Sequence, residues 1–301
     1  MSSNLQRYLQ AKDLPPLRYS NRTIAKGDAL RDAGAVPEEE FGALVQKSDV
    51  IFTMISTDDV LKDLLETAAA TRISLEGKIF VDTSTIHPDT SEWAARHLKD
   101  HGATFIAAPV FGASPVAAAG NLIFAMAGPT GAVERVRPLI MDVMGRSIID
   151  MGEDVRKSSL LKISGNILVI SFMEVIAEAQ VFAEVVGVGT QQMEDFIGNM
   201  FGPVLQSYSR RITSGAYAPP IDTAPGFAAA LACKDMKHAL SIADSSNARL
   251  CTLETASKRL NTAREYAGEN LDSSAIYGIA RLEAGLSFWS ANSRQGNESL
   301  T

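Results

Sequence analysis

The sequence predicts an α/β unit built on a mostly parallel sheet, followed by an all-α unit. Three observations predict it. Short apolar runs alternate with helical spacings up to about residue 150, the pattern of right-handed βαβ units. From residue 155 the strand signals stop and long helical spacings take over. The length, 301 residues, suits two ordinary domains, and 46% hydrophobic with 21% charged residues is the composition of a chain that buries a core.

The elements follow in order. Residues 1–9 read as a helix, and 17–21 as a short strand ending in Asn21, Arg22 and Thr23. Residues 37–47 are acidic, then helical. The run 49–55 is nearly all apolar, the mark of a strand buried on both faces. Val60, Leu61, Leu64 and Leu65 give 58–71 a helical spacing. A second buried strand, 78–81, leads into Asp82, Thr83, Ser84 and Thr85. Pro88 opens a helix to Lys99 with Asp89 in its first turn, where a carboxylate meets the positive end of the helix dipole. Residues 104–110, 122–127 and 147–151 are further strands, with a helix over 129–144. Residues 155–186 then form one helix of roughly 30 residues, about 45 Å long. It is apolar on too many sides for a surface helix, so it is expected between domains or subunits. Helices over 190–201, 203–213, 226–245, 250–266 and 275–282, a loop at 214–225 and a polar tail at 291–301 complete the chain. The expected domains are 1–151 and 152–290.

Charge and composition narrow the function. Lys and Arg number 28 against 35 Asp and Glu, a net charge of −7, which argues against nucleic acid or an anionic membrane as partner. No apolar run approaches the roughly 20 residues of a membrane span, and residues 1–10 lack the apolar stretch of a signal peptide. Cys233 and Cys251 have no metal-ligand spacing and read as reduced thiols. The expectation is a soluble, cytoplasmic protein with a small-molecule substrate and no bound metal.

Several clusters carry chemistry, each with a plain structural alternative. Asn21, Arg22 and Thr23 end a strand where a dinucleotide fold reads the adenosine ribose; Arg and a hydroxyl there suit a 2′-phosphate, and Lys26 adds charge. The alternative is a solvated strand end. The hydroxyls of residues 83–85 lie beyond the carboxyl end of a strand, where open α/β sheets bind ligands, or simply form a capped turn. Residues 108–113, with Pro109 and Gly112, suggest close backbone approach to a ligand, or a tight turn. Lys162 and Asn166 share a helix face at i and i+4. A lysine in so apolar a helix acts, pairs or snorkels. Phe227, Leu231, Lys234 and Asp235 form F-x-x-x-L-x-x-K-D on a later helix, either a site wall or a core helix with a charged flank.

Together these residues resemble the β-hydroxyacid dehydrogenase family, which includes 3-hydroxyisobutyrate dehydrogenases, glyoxylate reductases and the nucleotide-binding domain of 6-phosphogluconate dehydrogenase. The family's D-x-S-T-x-x-P is matched at Asp82, Ser84, Thr85 and Pro88, its K-x-x-x-N at Lys162 and Asn166, and its F-x-x-x-L-x-x-K-D at Phe227, Leu231, Lys234 and Asp235. The likeness runs to about residue 285. It implies a Rossmann-type domain, a helical domain and usually a homodimer. It also implies Lys162 as general acid/base, with Asn166 holding it or the substrate. Thr85, Phe111, Gly112, Phe227 and Asp235 would lie at the substrate. Asn21, Arg22, Thr23, Ser56, Thr85 and Lys234 would lie at the cofactor, NADP(H) favoured over NAD(H).

Two departures qualify the resemblance. Where the family reads D-x-P-V-S-G-G, this chain has Ala107, Ala108, Pro109, Val110, Phe111, Gly112 and Ala113. Phe111 replaces the serine that grips a substrate carboxylate, so the expected substrate is bulkier or more apolar, a ketone, aldehyde or imine. An imine reductase is a rival reading; such enzymes typically replace the lysine, so Lys162 counts against it. The family also opens with a strand and G-x-G-x-x-G, and here residues 1–9 already read as the first helix. Roughly 15 residues would precede them, and the sheet is expected to lack its central strand. The expectation is a chain begun at an internal methionine; the alternative is a non-catalytic, dehydrogenase-like binding protein.

Overall fold

The computed structural model describes residues 1–70 and 73–296. Position 71 of an expected helix and positions 297–301 of the expected tail lie outside the described residues. The chain divides into two units, Met1–Lys162 and Ile163–Thr301.

The first unit runs α1 (Ser2–Ala11), β1 (Arg18–Tyr19), α2 (Asp28–Asp32), β2 (Val36–Pro37), α3 (Phe41–Gln46), β3 (Val50–Thr53), α4 (Asp58–Ala70), β4 (Ile79–Asp82), α5 (Pro88–Asp100), β5 (Thr104–Ala107), β6 (Val110–Phe111), α6 (Ser114–Ala118), β7 (Leu122–Met126), α7 (Thr130–Ile140) and β8 (Gly145–Asp150). It ends with the first two turns of α8 (Val155–Val185). Strand β4 pairs parallel with β3 and β5, Phe80 lying opposite Ile51 and Phe105. Its side chains alternate between two cores. Phe80 joins Ile51, Leu61, Leu65 and Leu98, while Ile79 and Val81 join Ile106, Phe124, Met126 and Ile140. Burial on both faces is why this strand reads as an unbroken apolar run.

The ladders differ from expectation in two ways. Strands β6 and β7 pair antiparallel, with Phe111 opposite Ile123, before β7 and β8 resume parallel pairing. The strand expected over 104–110 splits into β5 and β6 around Ala108 and Pro109, because proline has no N–H to give a ladder. The two-residue β2 and the short α2 and α6 carry too few residues to show a period. The expected break is present: β1–β2 and β3–β4–β5 are separate hydrogen-bonded sheets, with no described strand joining them.

The second unit contains the rest of α8, then α9 (Thr190–Phe201), α10 (Pro203–Thr213), α11 (Ala229–Ser245), α12 (Cys251–Ala267) and α13 (Ile276–Glu283). Tyr217, Tyr277 and Phe288 form its aromatic centre, Tyr217 and Tyr277 edge to face at 5.3 Å. The Tyr217 hydroxyl donates to the Phe288 carbonyl and accepts from the Ser290 N–H, each at 2.7 Å, which satisfies a buried polar atom.

Two expectations need correction here. Helix α8 contains an 18-residue window of mean hydropathy 1.7, long and apolar enough by composition to cross a membrane. Its three acids each pair with an arginine of the same unit: Glu174 and Glu178 with Arg259, and Glu184 with Arg281. Phe227 does not share a helix face with Leu231 and Lys234, since α11 begins at Ala229. Instead its N–H donates to buried Asp272 at 2.8 Å, holding residues 227–228 extended beside Asp272.

Candidate functional site

In the first unit the carboxyl ends of β3 and β4 are tied by a closed polar network. Asp82 is 1% exposed. Its Oδ1 accepts from Thr53 Oγ1 at 2.7 Å and from Ser84 Oγ at 2.8 Å. Thr83 Oγ1 donates to the Thr53 carbonyl at 2.7 Å, and Ser84 Oγ accepts from the Ile55 N–H at 2.8 Å. A buried carboxylate satisfied this way is structural. Asp82, Thr83 and Ser84 are therefore spent on the loop, and half-buried Thr85 stands at its rim. Asn21, Arg22, Thr23 and Lys26 are exposed beyond β1, with Asn21 Nδ2 shaping the turn through the Thr23 carbonyl at 3.1 Å. Ser56 is exposed beyond β3.

Phe111 and Lys162 meet in this unit. The Lys162 Nζ lies 4.5 Å from the centroid of the Phe111 ring, a cation–π contact. Both partners are anchored. Phe111 sits in the β6–β7 ladder, and Gly112 follows at φ 133°, where a Cβ would come within 2.8 Å of Leu122 and Val116 side-chain atoms. Only glycine fits there. At the start of α8, Ser158 Oγ donates to the Ala125 carbonyl of β7, and Ser159 Oγ hydrogen-bonds Ser91 Oγ of α5 at 2.7 Å. Lys162 follows one turn later.

In the second unit Asn166, 4% exposed, donates from Nδ2 to Asp235 Oδ2 at 2.6 Å. Lys234 Nζ lies 3.2 Å from Asp235 Oδ1. Asp235 thus gathers the amide from α8 and the ammonium from its own helix. Phe227 is half-buried and Leu231 partly exposed. Asp272 escaped the sequence reading. It binds Arg211 Nη2 at 2.6 Å and the Phe227 N–H at 2.8 Å, so it sets where Phe227 stands. Its signal was the Asp-Ser-Ser run at 272–274, a cap in which Asp272 accepts from the Ser274 N–H. Among the described residues no group of three or more His, Cys, Asp or Glu side chains could hold a metal ion.

The donor set fits a nicotinamide dinucleotide at two corners. Exposed Arg22 and Thr23 beyond β1 suit an adenosine ribose or its phosphate, and Thr85 beyond β4 offers a hydroxyl for the nicotinamide end. No side chain caps the first turn of α1, leaving helical N–H groups of the kind that bind phosphates.

Comparison with known proteins agrees with this geometry. Residues 1–152 match the family model of the NAD-binding domain of 6-phosphogluconate dehydrogenase. Residues 157–280 match that of the NAD-binding domain of NADP-dependent 3-hydroxyisobutyrate dehydrogenase. The chain is 32% identical over 291 residues to the NADH-dependent oxidoreductase ucdB of Aspergillus ustus, covering 96% of this chain and 97% of that one. It is 29% identical over 260 residues to 2-hydroxy-3-oxopropionate reductase of Escherichia coli, covering 85% and 86%. The structure of Mycobacterium tuberculosis 3-hydroxyisobutyrate dehydrogenase with L-serine superposes with a TM-score of 0.75 at 24% identity, over 93% of this chain and 95% of that one.

Proposed function

The chain belongs to the β-hydroxyacid dehydrogenase family and is an NAD(P)-dependent oxidoreductase, and from that premise we propose that it reduces a carbonyl compound, or oxidises the corresponding alcohol, with Lys162 as the proton-transferring group. The bound dinucleotide supplies or accepts the hydride. Lys162 Nζ donates a proton to the carbonyl oxygen as negative charge develops there, and takes one from the alcohol in reverse. A fixed ammonium stabilises developing alkoxide charge better than mobile water does. The observation that carries this reading is the anchoring of Lys162, its helix start held by Ser158 and Ser159 and its ammonium by the Phe111 ring.

The other residues take narrower roles. Asn166, one turn of α8 beyond Lys162, is oriented by Asp235. Thr85 contacts nicotinamide and substrate, with Gly112, Phe227 and Asp235 also at the substrate and Lys234 and Ser56 at the cofactor. Arg22 beside Asn21 and Thr23 favours NADP(H) through a charge-assisted bond to the 2′-phosphate; the relative named NADH-dependent makes this a direct comparison to measure. A phenyl ring neither donates to nor accepts from a carboxylate, so Phe111 favours a substrate less dependent on its acid group than the family's small hydroxy acids. Exposed apolar residues on α8 to α10, Phe182 at 65%, Met200 at 66% and Val204 at 62% among them, support a homodimer through the helical unit.

Lys162→Ala tests the central role. Turnover of a carbonyl substrate with NADPH or NADH should fall by roughly 10²–10⁴-fold. Dinucleotide binding, followed by fluorescence, should persist. Unchanged turnover would remove Lys162 from the chemistry.

A further inference from the structure

Beyond α13 the chain turns back along the helical unit as a strap. The Asn292 side-chain amide donates to the Thr213 carbonyl at 2.8 Å, and the Arg294 N–H donates to the Ala218 carbonyl at 3.1 Å. At Gly215, with φ 80°, a Cβ would come within 2.0 Å of the Asn292 carbonyl oxygen, so only glycine lets the strap pass. Arg294 then joins three segments. Its Nη1 donates to the carbonyls of Pro219 at 3.1 Å and Asn270 at 2.5 Å, and its Nη2 to that of Ala267 at 2.8 Å. The guanidinium lies 5.3 Å over the Trp289 ring. Ala267 is the last residue of α12, and the carbonyl end of a helix favours a cation. The match to the family model of this unit ends at residue 280, so Arg294 lies outside it.

Residues 270–273 act as a bracket between this strap and Phe227. On one side Asn270 Nδ2 donates to the Pro220 carbonyl at 2.9 Å, and the Asp272 N–H donates to the Tyr217 carbonyl at 3.0 Å. On the other side Asp272 Oδ2 accepts from the Phe227 N–H at 2.8 Å, and the Ser273 N–H donates to the Phe227 carbonyl at 2.7 Å. Both backbone polar groups of Phe227 are thus fixed to Asp272 and Ser273, close in the chain to the Asn270 carbonyl that Arg294 holds. A planar guanidinium bonded to three segments sets their separation, which a single flexible ammonium cannot do.

We propose that Arg294 is a positioning residue for Phe227: by tying the end of α12, Asn270 and Pro219 together, it fixes the bracket on which Phe227 stands as a wall of the substrate site. The proposal rests on the reading that places Phe227 at the substrate. Its consequence is that a residue near the end of the chain governs substrate binding without touching substrate. A wall that shifts loses apolar contact in the ground state and the transition state alike, so KM rises while kcat holds.

The test separates position from activity. Arg294→Met keeps an unbranched stem beside Trp289 and removes the fork. Arg294→Lys keeps the charge without the fork, and it decides the matter should Arg294→Met fail to fold. Asn292→Ala loosens the strap at Thr213 and leaves the bracket alone. With 4-fluorophenylalanine incorporated, the ¹⁹F NMR line of Phe227 is assigned by its loss in Phe227→Leu. With no substrate or dinucleotide present, that line should shift in Arg294→Met and shift less in Arg294→Lys. It should stay in place in Asn292→Ala. The lines of Phe80 and Phe124, buried in the first unit, should not move in any of them. With an apolar aldehyde as substrate, Arg294→Met should raise KM by about 5- to 10-fold, part of the worth of a buried phenyl ring, with kcat within about twofold. An unmoved Phe227 line in the Arg294 variants would overturn the proposal and leave Phe227 at the substrate. An equal shift in Asn292→Ala, or a loss confined to kcat, would overturn it too. A shifted Phe227 line with KM unchanged would instead refute the placement of Phe227 at the substrate.

Discussion

The helix that carries Lys162 and Asn166 also buries Glu174, and this carboxylate should make the stability of the helical unit fall between acid and neutral pH. Glu174 is 2% exposed, and its Oε1 contacts Arg259 Nη1. The guanidinium is shared, however, with Glu178 at 2.9 Å and Glu283 at 2.6 Å. One cation faces three acids. Burial, reinforced by the two neighbouring carboxylates and only partly offset by Arg259, pushes Glu174 from 4.5 up to about 7. The folded value lies above the unfolded one, so the folded state keeps a proton that the unfolded chain has already released. The resulting stabilisation is complete below the unfolded value and is lost as pH rises through the folded one. Between about pH 5 and pH 8 the loss is roughly 2–3 kcal/mol. Glu174→Gln stays neutral throughout and retains an acceptor for Arg259, so it should lack this dependence. Trp93 and Trp289 are the two tryptophans. Trp93→Phe in both proteins leaves Trp289 to report urea unfolding of the helical unit. The unsubstituted Glu174 protein should lose roughly 2–3 kcal/mol relative to Glu174→Gln between those pH values. Parallel pH profiles for the two proteins would refute the shared-cation account.

Other outcomes follow from the site. Arg22→Asp should shift the NADPH to NADH ratio of kcat/KM toward NADH by roughly 10–100-fold, the worth of one charge-assisted bond, and an unchanged ratio would take Arg22 out of phosphate recognition. Phe111→Ser should raise kcat/KM for small 2-oxo acids relative to apolar aldehydes by about tenfold or more, since a hydroxyl can now bond the carboxylate; unaltered selectivity would count against Phe111 as a substrate determinant. Phe182→Glu places a charge on the exposed apolar face of α8 and should convert a dimer to a monomer in sedimentation, while a protein already monomeric without the substitution would argue against that interface.

Much of the fold was legible because its signals are local. Strand β4 announced itself by burial on both faces, α5 by Pro88 and Asp89, and α8 by length and apolar content. Illegible elements were those set by a distant partner. Phe227 kept the spacing of a helix face, yet buried Asp272 draws its N–H away and delays α11 to Ala229. Strand β6 runs antiparallel because Pro109 ends one ladder and β7 is the neighbour available to Val110 and Phe111. The partners of the α8 acids were not legible, because Arg259 and Arg281 lie 81 to 97 positions away in sequence.

The candidate site divides along the same line. Residue types at Lys162, Asn166, Thr85, Lys234 and Asp235 were visible as a pattern, because they fall in short motifs of fixed spacing. Their arrangement was not. Asp82 and Ser84 looked like ligand-facing members of a hydroxyl-rich turn, but they close a buried network, with half-buried Thr85 at its rim. Phe111 was visible only as a loss, a ring where a hydroxyl was expected. The fold supplies what takes the place of that hydroxyl: the helix start, pinned by Ser158 and Ser159, brings the Lys162 ammonium to the ring. Were Phe111 simply a lost handle, its ring would have no charged neighbour, yet the Lys162 ammonium lies 4.5 Å from its centroid. A substitution at position 111 therefore changes what that ammonium touches as well as the room beside it, and its effect is to be read from the lysine outward.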